Sequence, residues 1–189
     1  MVTADVSSDI VAEVIRNRRS INFFKPEPPP TAIINKALDL ARWAPNHHLT
    51  EPWRFYLLGR QTATAIAELN AEMIAAKKGT AAAEEKRQRW LGMPGWLVVT
   101  QIKSDDAWQT REDYAACCCA VQNLMLYLWA EGIGTKWTTG PVTQAQAFYD
   151  LIWVDPAHED VVGMLWYGYP AEIPVTPRRP LAEVLVELP

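Results

Sequence analysis

The apolar positions of this chain fall into helical and strand-like patterns that proline and glycine separate. Residues 8–19 carry apolar side chains at helical spacing, which predicts an amphipathic first helix with Ser8 as its N-cap. The segment KPEPPP at 25–30 predicts a stiff extended linker, because proline lacks the backbone N–H that a helix interior needs. Thr31 is then expected to cap a second helix over 32–43, which Pro45 ends.

Three later stretches are typical of strands and four of helices. Strands are predicted at 53–60, 95–102 and 160–170, and helices at 62–77, 81–91, 108–131 and 143–151. The proline-punctuated tail, 171–189, is expected to be an arm that crosses a surface, and residues 70–92 form a candidate mobile lid. This order predicts a single α/β or α+β layered domain over 1–189.

The composition is that of a folded protein with little affinity for polyanions. Apolar residues make up 49% of the chain and charged residues 21%. The net charge of −4 argues against a nucleic-acid partner, although it allows one local basic pocket. We predict no membrane partner, because no apolar run reaches the roughly 18–20 residues of a span and the N-terminus lacks a signal-peptide pattern.

The cysteines and histidines do not predict a metal site. Cys117, Cys118 and Cys119 are consecutive, so on a helix their side chains point about 100° apart. We interpret them as small core residues, and an odd, clustered set without a signal peptide fits a reducing cytoplasm. The adjacent His47 and His48 also diverge, and the third histidine, His158, lies far along the chain.

Two arginine-rich segments are candidates for binding an anion. Arg18, Arg19 and Ser20 follow the first helix, and Arg178 lies between prolines in the tail. Guanidinium groups offer forked, permanently charged donors that suit a phosphate monoester. The alternatives are a solvated helix C-terminus for the first segment and an exposed basic bump for the second.

Two further segments are candidates for contacts with a heterocycle. Two prolines fix the loop at 43–55, which presents Asn46 and His47, although it could equally be a structural turn. After the longest helix, EGIGTKWTTGP at 131–141 offers backbone amides and the hydroxyls of Thr138 and Thr139. Its glycines could instead form a helix C-cap and a turn. They close a helix and do not open one, which excludes a Rossmann dinucleotide fingerprint.

In their order, these segments resemble the FMN-dependent nitroreductase family over nearly the whole chain. The resemblance rests on six short motifs: Arg18-Arg19-Ser20, Ala44-Pro45 with Pro52-Trp53-Arg54-Phe55, Gln122-Asn123-Leu124, Gly132-Ile133-Gly134-Thr135, Gly168-Tyr169-Pro170 and Arg178-Arg179-Pro180-Leu181-Ala182-Glu183-Val184. It implies an α+β fold in which helices flank a central mixed, mostly antiparallel sheet. It also implies a C-terminal arm that reaches the partner subunit.

The resemblance also implies cofactors, partners and roles for nine residues. FMN would lie at a homodimer interface, with its phosphate held by Arg18, Ser20 and Arg178, and with Arg19 nearby. The 43–49 loop, with Asn46 and His47, would reach the flavin from the partner subunit, and the 136–139 segment, with Trp137, Thr138 and Thr139, would lie along the ring. The flavin would carry the catalysis, and no side chain is assigned a catalytic role.

The implied activity passes electrons from NADPH or NADH through FMN to a flat aromatic oxidant, such as a nitroaromatic or a quinone, in ping-pong order. The alternatives are an FMN protein for storage or sensing without turnover, a dimeric interaction module, and another reaction of the same family. Aromatic walls suit flat ligands, and Trp43, Trp53, Trp90, Trp108 and Trp137 are candidates to line the pocket.

Five residues around these motifs carry separate expectations. Lys136 either stabilises negative charge on a reduced flavin or is solvated, and Phe23 and Phe24 are expected to pack together as core. Leu49 and Glu51 depart from the loop pattern of the family, which usually has amides there. A carboxylate facing the flavin would lower its potential.

Overall fold

The computed structural model describes residues 7–189, which form six α-helices and four strands. The helices are α1 (Ser8–Asn17), α2 (Thr31–Ala41), α3 (Arg60–Lys78), α4 (Thr80–Leu91), α5 (Ala107–Ala130) and α6 (Gln146–Ile152). The strands are β1 (Trp53–Leu57), β2 (Gly95–Ile102), β3 (Gly134–Thr138) and β4 (Glu159–Gly168). Short 3₁₀ helices occur at His47–Leu49, Pro141–Gln144 and Leu181–Glu183.

The four strands form one antiparallel sheet in the order β1-β2-β4-β3. The strand β2 is buried on both faces except at its last residue, as its continuous apolar sequence requires. After α1 the chain runs beside β3 and makes an isolated parallel bridge between Ser20 and Thr135. The buried Ile21 also donates its backbone N–H to Thr135 O at 2.9 Å. This pairing fixes the segment after α1 against the free edge of β3.

Two hydrophobic clusters cover the sheet. One cluster packs α2 and α5 against it, with Cys117, Val121 and Leu124 of α5 fully or almost fully buried. The other packs α3, α4 and α6 against it, and contains an edge-to-face trio of Trp90, Trp96 and Trp166 with ring centroids 5.1–5.7 Å apart. The α+β expectation is therefore confirmed, with helices flanking the sheet.

Three sequence predictions need correction. The cap of α1 is Ser7 and not Ser8, because the Ser7 hydroxyl accepts the N–H of Asp9 at 3.3 Å. The segment EGIGTKW was predicted only to end α5. It also contains most of the strand β3, which pairs with β4. The helix expected at 143–151 is a 3₁₀ turn followed by α6, because Ala145 has an extended backbone.

The predicted break at KKGT is confirmed. Gly79 has φ +86°, a conformation that favours glycine, and it separates α3 from α4. The two helices form a hairpin held partly by an ion pair between Arg87 and Glu68, with the Arg87 Nε 2.7 Å from the Glu68 Oε2. That this hairpin moves as a lid stays a prediction.

Candidate functional site

Arginines from the two ends of the chain meet in one cavity of about 260 Å³. The end of α1 contributes Arg16, Arg18 and Arg19 to its lining, and the C-terminal arm contributes Thr176 and Arg178. Burial, followed by the proximity of Arg178 and Arg19, lowers the pKa of Arg18 below its ordinary value. No carboxylate among residues 7–189 lines this cavity. A cluster of cations without counter-charges is suited to a doubly charged oxyanion such as a phosphate monoester.

Neighbouring arginines of α1 differ in what they contact. Arg19 Nη1 donates to the backbone carbonyl of Arg18 at 2.9 Å, and also to that of Arg16, so its guanidinium caps the end of α1. Arg19 therefore caps the helix terminus and also lines the cavity, and its place near a phosphate stays a prediction. Arg18 is half-buried and faces Arg178, which leaves its guanidinium available to the cavity.

The edge of β3 continues from this arginine cluster. Ser20 is bridged to Thr135, and two residues later Asn22 Oδ1 accepts a hydrogen bond from Lys136 Nζ at 2.6 Å. Lys136 is half-buried and its Nζ lies 5.7 Å from the ring centroid of Trp166. Lys136 is thus hydrogen-bonded and partly buried, and its effect on a reduced flavin stays a prediction. Ser20 and Lys136 lie along the same edge of the sheet.

The residues of the 136–139 segment point in different directions. The Trp137 indole packs against Gly163 and donates from Nε1 to Val162 O at 3.4 Å, so it belongs to the core beside α5. Thr138 lines a different cavity with Lys136, and Thr139 is exposed. A ligand along this segment would therefore meet the side chains of 136 and 138 and the free backbone edge of β3.

The 43–49 loop is held tightly but away from the arginine cluster. Asn46 uses both ends of its amide inside the loop: Nδ2 donates to Ala44 O at 3.3 Å, and Oδ1 accepts from the N–H of Glu51 at 2.9 Å. His47 Nδ1 lies 2.7 Å from Glu112 Oε2 on α5. The hydrogen bond with His47 lowers the pKa of Glu112. Asn46 and His47 line a cavity of about 310 Å³ that shares no lining residue with the arginine cavity.

Backbone strain marks the same loop. His48, Leu49 and Glu51 have φ of 59°, 52° and 45°, in the left-handed region that side chains with a Cβ rarely adopt. Leu49 is largely exposed, and the side chain of Glu51 is also on the surface. Within one subunit the structure therefore does not bring Asn46 and His47 to the arginines.

Several contacts near β3 escaped the sequence analysis. The Arg89 Nη2 donates a hydrogen bond to the backbone carbonyl oxygen of Asn22 at 3.3 Å. The two residues are far apart in sequence, so no local pattern predicts this contact. Phe24 packs on the second cluster as expected, but Phe23 is exposed with the Arg89 guanidinium 5.4 Å from its ring centroid.

The tryptophans that were candidates to line the pocket differ in their surroundings. Trp90 lines a cavity, whereas Trp53 is core and Trp43 and Trp108 are exposed. Trp166 lines the same cavity as Trp90 but was not singled out from the sequence.

Residues 7–189 contain neither a helix suited to span a membrane nor a cluster of metal-ligand side chains. No helix in this part of the chain combines the length and apolar character needed to cross a membrane. No group of three or more histidine, cysteine and carboxylate side chains there converges on a position where a metal ion could bind.

Comparisons with known proteins identify the family. The profile of the "Nitroreductase family" matches residues 15–169. A Bacillus subtilis protein named "Putative NAD(P)H nitroreductase YfhC" is 33% identical over 184 residues, which cover 95% of this chain and 94% of the relative. The chain belongs to the nitroreductase family.

Solved structures agree with this assignment. A nitroreductase-like family protein from Bacillus cereus is 31% identical to this nitroreductase-family chain, with a TM-score of 0.82 over 100% of this chain and 99% of the other. A protein from Desulfovibrio desulfuricans, solved in complex with FMN, is 24% identical with a TM-score of 0.76 and covers 95% and 96% of the two chains. The predicted nitroreductase-like fold is confirmed.

Proposed function

We propose that this nitroreductase-family chain passes electrons from NAD(P)H through FMN to flat, electron-poor aromatic acceptors in ping-pong order. The more general part of this statement, that the chain is a flavin-dependent NAD(P)H oxidoreductase, rests on its family and on a relative that it matches over nearly the whole length. The acceptor class and the kinetic order are the parts of the proposal that need experiments.

The proposed FMN phosphate site rests on one observation about the residues of this chain. Arg18 and Arg178, which are 160 positions apart in the sequence, line one cavity without a carboxylate. This set of donors fits the terminal phosphate of FMN, to which guanidinium groups can make charge-assisted hydrogen bonds. Ser20 adds a neutral hydroxyl at the start of the β3 edge, and Arg19 contributes positive charge while it caps α1.

Bound FMN would supply the redox chemistry, namely acceptance of a hydride from NAD(P)H and delivery of two electrons to the acceptor. The protein would orient the ring along the 136–139 segment, where Lys136 and Thr138 present their side chains. A half-buried cation at Lys136 would favour negative charge on the neighbouring ring edge. The Trp137 indole would support this segment from inside the protein, where it packs β3 against Gly163 of β4.

A homodimer would complete this site. Asn46 and His47 lie on a loop that is pinned to α5 and separate from the arginine cavity of the same subunit. Their proposed contact with the flavin therefore requires the loop of the partner subunit. We further assign the protein to the cytoplasm, an assignment supported by three free cysteine thiols.

The test measures FMN affinity in a double variant, Arg18→Gln with Arg178→Gln, and in Arg60→Gln as a matched control. Losing charged hydrogen bonds to phosphate should raise the FMN dissociation constant by about 10- to 100-fold per bond lost. Arg60 is exposed and lies outside the arginine cavity, so its variant should bind normally. Full flavin content in the double variant would refute the phosphate assignment.

Steady NADPH oxidation with menadione by the wild type would exclude a storage or sensing role.

A further inference from the structure

Two adjacent carboxylates of α5 hold the loop at 46–51, which we call the α5-bound loop. Glu112 Oε2 lies 2.7 Å from the Nδ1 atom of His47, near the beginning of this loop. Asp113 Oδ1 accepts a hydrogen bond from the Thr50 hydroxyl at 2.6 Å, near its end. The loop is therefore tied at two points to one turn of a long helix.

The backbone of the α5-bound loop is strained. His48, Leu49 and Glu51 all have φ in the left-handed region, which residues with a Cβ rarely adopt. Such conformations persist only where the surrounding contacts fix them, and they are concentrated at ligand-binding and active sites. The Asn46 amide braces the loop from within, and the two contacts with α5 fix it to the rest of the subunit.

Asp113 is an unusual residue for a buried position on α5. It is only 3% exposed, and it makes no ion pair with residues 7–189. Its Oδ1 accepts hydrogen bonds from two neutral donors, the Thr50 hydroxyl at 2.6 Å and the Gln109 amide at 3.0 Å. Because burial of a charge costs free energy, packing in the core does not explain a carboxylate here. Its hydrogen bond to the α5-bound loop does.

Glu112 is oriented through both of its carboxylate oxygens. Oε1 accepts a hydrogen bond from Trp108 Nε1 at 3.1 Å, one helical turn earlier, and Oε2 contacts His47. The hydrogen bond with His47 lowers the pKa of Glu112, and the one from Trp108 lowers it further. The carboxylate is thus ionised at neutral pH and can only accept, so the hydrogen between Oε2 and Nδ1 belongs to His47.

This contact determines what His47 can offer to another molecule. With the hydrogen on Nδ1, a neutral imidazole carries a lone pair on Nε2, which then accepts a hydrogen bond. An unrestrained imidazole in water favours the opposite tautomer, which donates from Nε2. The His48 ring stacks on the His47 ring with centroids 3.8 Å apart, which further restricts its orientation. The His47 side chain is 60% exposed and so remains open to a ligand.

We propose that Glu112 and Asp113 are positioning residues for the flavin of the partner subunit. Asp113 fixes the strained backbone, and Glu112 sets the His47 tautomer so that Nε2 accepts a hydrogen bond from FMN. FMN offers such donors in a ring N–H group and in the hydroxyls of its ribityl chain. The inference rests on the proposed function, in which this loop reaches the partner's flavin. It adds which residues prepare the loop and which kind of hydrogen bond the loop provides.

Nitrogen-15 NMR of histidine-labelled protein measures the tautomer directly. The chain has three histidines, and the variant His47→Asn assigns the signals of His47. At a pH where this ring is neutral, we expect the Nδ1–H form in the wild type. Glu112→Gln should shift the equilibrium toward the Nε2–H form, because a glutamine amide can donate to Nδ1. The matched control Glu85→Gln, at an exposed position on α4, should leave the signals unchanged.

FMN binding tests the positioning role. Adding FMN should shift the Nε2 resonance of His47 in the wild type. Glu112→Gln and Thr50→Val should each raise the FMN dissociation constant by about three- to tenfold, as expected for the loss of one hydrogen bond. Thr50→Ser keeps the hydroxyl and should restore the affinity, and Glu85→Gln should bind FMN normally. Thr50 is exposed, so its variants should remain folded, which circular dichroism checks.

Four outcomes would overturn the inference. They are an Nε2–H tautomer of His47 in the wild type, an unchanged tautomer in Glu112→Gln, wild-type FMN affinity in both Glu112→Gln and Thr50→Val, and FMN binding to the wild type without a shift of the His47 signals. If the wild type binds no FMN at all, the proposed function fails instead. The tautomer in the FMN-free protein then still decides whether Glu112 sets the state of His47.

Discussion

Single residues with the same chemistry take different roles here because tertiary contacts differ. Arg18 and Arg19 are adjacent, yet one faces Arg178 in a cavity and the other caps α1. The three consecutive cysteines divide in the same way: Cys117 is buried, Cys118 is partly buried and Cys119 is exposed. The prediction of core cysteines is therefore correct for Cys117 and wrong for Cys119, because one face of α5 is not covered within the subunit.

The cysteines allow a prediction about reactivity. Burial raises the pKa of Cys117 to about 12, with smaller contributions from Cys118 and Asp113. The thiolate is the reactive form, so at pH 8 only about one Cys117 thiol in ten thousand is ionised. Native protein treated with iodoacetamide should carry no label at Cys117 by peptide mass spectrometry, and urea-unfolded protein should be labelled there. Rapid labelling of Cys117 in the native state would contradict its place in the core.

At the level of elements, β3 depends on a glycine in the neighbouring strand. A Cβ added at Gly163 would lie inside the van der Waals surface of the Trp137 indole, whereas one added at Gly92 would meet only backbone carbonyl oxygens at 3.5 and 3.6 Å. Gly163→Ala should therefore destabilise the protein by about 1–3 kcal/mol through overpacking. Gly92→Ala, at a helical backbone position, should be neutral or slightly stabilising. Urea denaturation measures both, and equal midpoints would contradict this account of the strand.

The α3–α4 hairpin should depend on pH through one exposed ion pair. The hydrogen bond from Arg87 lowers the pKa of Glu68 below its ordinary value of 4.5. Because the folded pKa is depressed, this contribution to stability is present above the unfolded pKa and is lost as the pH falls through the folded value. At pH 7, Glu68→Gln should speed amide exchange in α4 by about two- to threefold, as expected for an exposed pair. As the pH falls through the lowered pKa of Glu68, exchange in the variant and in the wild type should converge. A difference that stays constant throughout the acid range would exclude the ion pair as its cause.

The whole molecule exposes apolar surface that suits a second copy of the chain. The C-terminal arm packs little within the subunit: Val175 is 95% exposed and Leu188 85%. Trp43 and Leu49, on the loop proposed to reach the partner's flavin, are also exposed. Exposed apolar side chains also occur elsewhere, for example on α1, but the arm carries the largest group of them. Such a group is typical of an interface.

We therefore expect a dimer of twice the 21.3 kDa chain mass by sedimentation. Replacing Leu181, Val186 and Leu188 with serine should weaken this dimer at least tenfold, because several buried apolar side chains would be lost from the interface. Arg178 remains in this variant, so its proposed contact with phosphate is retained. A matched triple serine variant on α1 (Ile10, Val11 and Ile15) distinguishes the arm from exposed apolar residues in general. A monomeric wild type would refute the proposed partner.

How much of this protein the sequence predicts depends on the range of the interactions involved. The strand β2 and the helix α5 were located to within one residue, because a continuous apolar run and helical spacing are local signals. The strand β3 was missed, because its short sequence GTKWT reads as a strand only beside β4. Among the site residues, Arg18 and Arg178 stood out by residue type. Asn22 and Trp166 had no local signal.

Local pattern and residue chemistry thus determined a layered domain of helices and strands, most element positions and the arginines suited to an anion, since these depend on neighbours a few residues apart. The choice of α+β over α/β came from the resemblance to the family. Tertiary structure decided which of those groups meet. It joined Arg18 and Arg178 in one cavity, packed the Trp137 indole against the core, and placed basic side chains of α3 and α4 near Lys136 of β3. Such juxtapositions depend on strand pairing and packing between distant segments, whose geometry is not encoded within any single stretch of the chain.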